Sequence, residues 1–341
     1  MVSQHATAET ARSPQLDQLI KAAASEGELD VMWGGSSLGA DEGVADLQDG
    51  LNHAYGINIK VHYTPGPSMP QLATRIIQEV KAGQKSSSDA FLGIEVSLPA
   101  MIAAHVLEPV KWSDYFPEIT PAMVSGDGEA LLEFTLFNGM SYNTQLIPDT
   151  EVPHTMAEVF RPEWKGKLAS TPYAAGFDRL ALAYGDDKIR PIVQKMAQWA
   201  GGLLRCGEYE RIASGEFIAL VLDCGQVEPR FLEANGGPVR LVPLDDALAA
   251  TMTYFAVPKT SAHPNLAKLF AGFTASQEGQ KIIEKYGATS TLVPGTPAFK
   301  MRQGLEARGL KLLTYTPDLI APHVEEQAKY KEEYQQILEG K

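Results

Sequence analysis

A chain of 341 residues, 44% hydrophobic and 21% charged, has the composition of a soluble globular protein and is long for a single core, so two lobes are expected. No run approaches the ~18 apolar residues that a membrane span needs. The formal charge of −13 and pI near 5.0 argue against a nucleic-acid partner, since such binding rests on clustered Lys and Arg.

Met1 to Gln15 is small and polar, without an apolar signal core, which leaves a cytoplasmic chain and an exported one with its signal removed both open. Ser13-Pro14 caps a helix whose apolar face is Leu16, Leu19, Ile20 and Ala23 and whose stop is Gly27. Residues 29–33 read as a strand that runs into Gly34-Gly35-Ser36-Ser37, and a helix follows with Val44, Leu47, Leu51 and Ala54 on one face. Ile57, Ile59, Val61 and Tyr63 alternate as a second strand. Residues 64–68 break it. A helix then runs to about Ala82, with Leu72, Ile76 and Val80 on one face and Gly83 as the stop. Residues 89–92 form a third short strand. Strand, crossover helix, strand is a right-handed parallel unit. Open parallel sheets bind ligands beyond the carboxyl ends of their strands, against helix N-termini. Here those ends are 33–37, 64–68 and 93–97.

Ser97 caps a short helix that ends near His105, and residues 108–130 are irregular. The run 131–142 reads as one long strand, suited to a crossing between lobes. From Pro153 a second α/β unit begins: a strand at 168–170, a loop at 171–176, helices about 177–184 and 189–200, and strands at 217–222 and 239–242. Residues 248–257 read as the return crossing. A helix starts at His263-Pro264, Thr274 to Gln277 has capping-box spacing for the next, and the tail from Asp318 reads as a charged, mostly solvated helix.

Cys206 and Cys224 are either plain core residues or, in an oxidising compartment, a disulfide. No Cys or His pair stands at ligand spacing, so neither a metal centre nor a cofactor is expected. Gly35-Ser36-Ser37-Leu38-Gly39 fits the nucleophile-elbow pattern, with Ser37 as nucleophile and His263 or His323 as base. In the hydrolase fold that elbow follows several strands, whereas here it follows the first. No enzymatic activity is expected.

Several words in order resemble the bacterial extracellular solute-binding proteins of ABC importers, in the branch of ferric-iron, polyamine and phosphonate binders. They are Pro67-Ser68, Glu79-Val80-Lys81-Ala82-Gly83, Ser88-Asp89-Ala90, Ser141-Tyr142-Asn143-Thr144, Trp164-Lys165-Gly166-Lys167, Ala213-Ser214-Gly215-Glu216, Ala256-Val257-Pro258-Lys259, Ser276-Gln277-Glu278-Gly279-Gln280 and Gly287. The resemblance implies a two-lobed α/β type II periplasmic-binding-protein fold, each lobe a mixed sheet flanked by helices and joined by crossing strands. Residues 1–137 with 250–341 form lobe one, 138–249 form lobe two, and the ligand cleft lies between. It also implies a monomeric periplasmic or extracellular receptor that hands a small-molecule ligand to an ABC permease. Candidate ligand contacts are Trp33, Ser36, Ser37, Ser68 and Glu95 from lobe one, with Tyr173, Gly176, Asp178 and Cys224 from lobe two. Serine hydroxyls beside helix N-termini suggest an oxygen-rich, anionic cargo such as a carboxylate or phosphonate. Ferric ion and polyamine are the alternatives. The adjacent tyrosines that ligate iron in the family's ferric members are absent around 223–225, which weakens direct iron ligation.

Overall fold

A computed structural model describes residues 12–35, 37–174 and 176–340. The strands begin with β1 (Glu28–Trp33), β2 (Lys60–Pro65), β3 (Ala90–Ile94), β4 (Val124–Ser125) and β5 (Ala130–Phe137). They continue as β6 (Met140–Asn143), β7 (Leu168–Ser170), β8 (Ala200–Leu203), β9 (Ala219–Val221), β10 (Val239–Val242), β11 (Ala249–Ala256) and β12 (Leu313–Thr314). One sheet has the order β2-β1-β3-β11-β5-β4, with β12 beside β11, and the other the order β10-β6-β9-β7-β8.

The expected parallel unit is present. Val31 pairs in parallel with Tyr63 of β2 and with Ala90 of β3, and β11 then runs antiparallel between β3 and β5. Its helices form where the sequence supplies caps and a period. The Ser13 hydroxyl accepts from the Leu16 N–H, Pro14 opens the helix Pro14–Glu26, and Gly27 closes it in the left-handed region. Helix Met69–Lys81 buries Leu72, Ala73 and Ile76 and leaves Val80 at the edge of the core. Each such leucine or isoleucine, moved out of water, stabilises the fold by roughly 2 kcal/mol. In the second sheet β7 lies parallel to β8 and β9, while β6 is antiparallel to β9 and β10.

Three expectations are corrected. The run 131–142 is not one strand: β5 ends at Phe137 in the first sheet, Asn138 and Gly139 cross, and β6 begins in the second. The crossing is pinned where its backbone leaves the ladder. The Phe137 N–H donates to Gln226 Oε1 at 2.7 Å, the Asn138 N–H to the Ala249 carbonyl at 2.9 Å, and the Asn138 amide to the Asp223 carbonyl at 2.8 Å. Second, the cap at the end of helix Pro264–Ala275 is Ser276, whose hydroxyl accepts from the Gly279 N–H, while Thr274 bonds back inside the preceding helix. Third, the tail is not solvated throughout. Helix Val324–Leu338 buries Tyr334 and Leu338 in the second core, beside helices Phe177–Tyr184 and Asp186–Trp199. Its polar groups join in: Gln327 Nε2 donates to Asp178 Oδ2 at 2.7 Å, the Tyr334 hydroxyl to Asp186 at 2.6 Å, and Gln335 Nε2 to the Pro172 carbonyl at 2.7 Å.

Candidate functional site: the cleft between the two sheets

The loops beyond the strand ends of both sheets enclose an inner cavity of about 220 Å³. From the first sheet it receives Ser37 and Leu38 of the turn after β1, Met69 at the start of its helix, and Phe134 and Leu136 of β5. The last two share one side because residues two apart on a strand face the same way. Leu38 is fully buried in the left-handed region, a conformation the tight turn imposes on a residue other than glycine.

The opposite wall carries the disulfide. Cys206 and Cys224 are bonded, with Cα atoms 5.7 Å apart, tying the loop after β8 to the loop after β9. Both cysteines line the cavity, as do Tyr209, Gly225, Val227 and Glu228. Behind them Asp223 is fully buried, accepting from the Ser141 hydroxyl and from the Gly225 N–H at 3.1 Å, with the Tyr209 hydroxyl 3.4 Å away. Burial pushes the Asp223 carboxyl up to about 7 despite those donors. Burial, with Asp223 beside it, likewise holds the Tyr209 phenol well above its ordinary value.

A second, outer compartment of about 440 Å³ shares Val227 and Glu228 with the first and adds Gly35, Gly39, Glu42, Gly207, Phe231 and Tyr286. The Tyr286 hydroxyl donates to Asp46 Oδ2 at 2.9 Å, and its ring lies where a side chain at Gly39 would have to stand. Glu228 is half-buried and makes no ion pair among the described residues. Burial raises its pKa, and Glu210 adds to the rise. Neither compartment includes a lysine, arginine or histidine among its described lining residues.

Of the residues singled out in the sequence, Ser37 and Cys224 line the inner cavity, and Ser36 lies outside the described residues. The others are placed elsewhere. Ser68 is exposed; its N–H donates to Gln71 Oε1 at 3.3 Å at the start of the helix, and its neighbour Met69 reaches the cavity instead. Trp33 is in the first core, its ring 5.4 Å from Tyr63 and 5.7 Å from Phe255. Gly176, with φ 81°, starts helix Phe177–Tyr184 against Asn138, and Tyr173 is exposed outside both compartments.

Glu95 and Asp178 are corrected outright, because each is committed to a buried network. Glu95 Oε1 accepts from Arg179 Nε at 2.8 Å and Nη2 at 2.5 Å, and Oε2 accepts from the Met252 N–H at 3.1 Å. Asp178 Oδ1 lies 3.7 Å from Arg179 Nη1, and its other oxygen is held by Gln327. Burial raises the Glu95 carboxyl and works against the Arg179 charge, yet Glu95 and Asp178 hold the Arg179 guanidinium above its ordinary value. The network joins the loop after β3 of the first sheet to a helix of the second.

Tyr209, Glu228, Met69, Phe134 and Leu136 were missed. The same rule that flagged Ser37, a helix start just past a strand end, applies to Val227-Glu228 after β9 and would have found them. No such rule exists for Phe134 and Leu136, whose exposure to the cleft depends on the crossing. The elbow reading of Ser37 finds no base among the described residues: no histidine is among the described lining of either compartment, and His263 Nδ1 is 2.8 Å from Asp89 Oδ2, at the amino end of β3. Asp30, Asp89 and His263 do converge there within 4.8 Å, but Lys85 sits 3.1 Å from Asp30 and Asp89 Oδ1 accepts from Ser261 and the Ala262 N–H, so the group reads as a helix cap.

Comparison with known proteins fits this architecture. The family profile described as bacterial extracellular solute-binding protein matches residues 147–289. The major ferric iron-binding protein of Neisseria meningitidis serogroup B is 24% identical over 275 residues, covering 74% of this chain and 78% of that protein. Iron-bound HitA from Pseudomonas aeruginosa shares the fold with a TM-score of 0.70 at 18% identity, over 90% of this chain and 99% of that one. The substrate binding protein of an ABC transporter from Agrobacterium tumefaciens gives 0.72 at 21% identity, over 91% and 94%. The chain therefore has the two-lobed type II periplasmic-binding-protein fold and resembles the bacterial extracellular solute-binding proteins in sequence words, family profile and architecture alike.

Proposed function

We propose that this protein is the solute receptor of an ABC-type importer and that its cargo is a cation. The observation that carries the charge is the lining: Glu228 and Glu42 face the cleft with no basic side chain among the described lining residues to oppose them. A carboxylate or phosphonate, the cargo suggested by the serines, would meet like charge at Glu228, and such juxtaposition costs several kcal/mol. Ser68, on which that suggestion partly rested, is used at a helix start. Glu228 is half-buried and without an ion pair among the described residues, and a cation beside it would offset the burial and the Glu210 charge that raise its pKa.

The ABC permease enters as the partner implied by the family, and the disulfide suits the oxidising compartment outside the cytoplasm. We take residues 12–137 with 250–314 as lobe one and 138–249 with the C-terminal helix as lobe two, so the chain crosses three times. Ferric ion is a second reading, supported by the ferric iron-binding relatives. Against it, the hydroxyls of Tyr209 and Tyr286 are directed to Asp223 and Asp46, so hard oxygen donors are not gathered around one point.

The test is thermal unfolding of ligand-stripped protein against amines, polyamines, carboxylates, phosphonates and ferric salts. A ligand at a hundred times its dissociation constant adds about 2.7 kcal/mol of stability. A shift with cations alone is expected; a shift confined to carboxylates or phosphonates would overturn the reading.

A further inference from the structure

The cargo's shape can be read from the contrast between the two compartments, an inference that rests on the cationic reading above. The inner cavity is walled by Leu38, Met69, Phe134, Leu136, Val227 and the disulfide, with Ser37 and Tyr209 as hydroxyls and Glu228 as the only carboxylate among its described lining residues. The outer compartment sets carboxylates and aromatic rings together: Glu42 and Glu228 with Phe231 and Tyr286. Phe231 is 49% exposed, an aromatic ring left open at the mouth of a cleft. Glu228 belongs to both compartments.

We propose that the cleft takes an amphipathic monocation, its apolar body in the inner cavity and its ammonium group at Glu228 and Glu42 beside the Phe231 ring.

Three physical points support this orientation. An ammonium is attracted both to a carboxylate and to an aromatic face; the outer compartment sets two carboxylates beside the open Phe231 ring, whereas the inner cavity has the carboxylate of Glu228 alone among its described lining residues. A second ammonium carried inward would be stripped of water among apolar walls. The nearest buried acid there, Asp223, lies behind the wall with both oxygens already engaged by Ser141 and the Gly225 N–H. The inner space also fits: an apolar protein cavity of about 150 Å³ admits a benzene ring, and this one is about 220 Å³. A ring with a short tether, or a chain of several methylenes, can be buried while its charged end stays at the mouth. Glu228 thus marks the boundary, and its half-burial strengthens its attraction to an ammonium without placing it in the apolar interior.

The experiment is calorimetric titration of stripped protein with a monoamine series (butylamine, hexylamine, 2-phenylethylamine), with 1,4-diaminobutane and spermidine, with the anion 3-phenylpropionate, and with ferric citrate. Affinity should rise with apolar size along the monoamines and exceed that of the diamine at least tenfold. Glu228→Gln should weaken 2-phenylethylamine at least tenfold, and Phe231→Ala several-fold, with both variants keeping the wild-type melting temperature in the absence of ligand. Tighter binding of 1,4-diaminobutane or spermidine, or binding of ferric citrate with silence from every monoamine, would overturn the orientation and leave the cationic reading standing. Binding of 3-phenylpropionate alone, or of nothing in the series, would overturn both.

Discussion

Glu133 lies in the middle of β5, fully buried, and neither carboxylate oxygen has a hydrogen-bond partner among the described residues. Burial drives its pKa well above the ordinary value and favours the neutral acid. Asp223 shares the condition more mildly, at about 7 against an ordinary 3.8. The sign of the linkage is the same for both. Each holds a proton in the folded chain that the unfolded chain releases at its ordinary value, so the native state binds more protons and stability falls as pH rises. For Asp223 the contribution is complete below about pH 4 and is lost by about pH 7. Glu133→Met removes a buried carboxyl group without hydrogen-bond partners among the described residues at nearly the same volume and should stabilise the protein by about 1–3 kcal/mol at pH 7. Asp223→Asn should flatten the fall in melting temperature between pH 4 and 7. Urea midpoints and melting curves across that range check both; an unchanged pH slope in Asp223→Asn would mean that Asp223 is ionised when folded. None of this was legible in the chain. The pattern Leu-Leu-Glu-Phe-Thr-Leu marks a strand, but burial of both its faces follows from the neighbours that β5 acquires in the sheet.

The parallel unit of β1, β2, β3 and their helices was legible because caps, stops and apolar period agree with one another locally. β8 was not: Ala-Gly-Gly-Leu has little strand propensity and is held by pairing with β7 and by the disulfide loop that follows. The C-terminal helix was misread for a related reason. Its charged composition says solvent, and only the tertiary position of Tyr334 and Leu338 turns one stripe inward. The Glu95–Arg179 pair belongs to this scale too, since it joins a strand-end loop to a helix of the other sheet. Glu95 approaches Arg179 to 2.5 Å, while its neighbour in the chain, Asp178, stays 3.7 Å away. Because the pair is desolvated, Arg179→Met should leave Glu95 buried and uncompensated and destabilise by about 3–5 kcal/mol. The double variant Glu95→Met with Arg179→Met should recover most of that loss. Chemical unfolding of the three proteins decides it. A double variant no better than the single one would show that Asp178, not Glu95, carries the pairing.

At the scale of the whole molecule, Gly287 is one point where the two halves of the chain come into close contact. It has φ 75°, and a Cβ there would collide with the Val227 carbonyl across the cleft. Asparagine tolerates that backbone but not the contact. Gly287→Asn should therefore weaken ligand binding at least tenfold and raise the radius of gyration of the liganded protein in solution scattering, with a smaller change in melting temperature. At the same scale the formal charge of −13 acts on the approaching cargo. Charge of one sign around a cleft raises the local concentration of the opposite ion and its association rate, and salt screens it, with a Debye length of about 30 Å at 0.01 M and about 8 Å at 0.15 M. The association rate of 2-phenylethylamine should therefore fall about threefold or more between 10 and 300 mM NaCl. Its dissociation rate should barely move, because the contact with half-buried Glu228 is screened far less. Glu42 is exposed at the mouth, so Glu42→Gln should reduce the salt dependence of association and speed dissociation less than Glu228→Gln does. Stopped-flow measurement at three ionic strengths separates the two rates. Salt-independent association would mean that cargo enters past a part of the surface where the acidic field does not reach, and Glu42 would then not lie on the entry path.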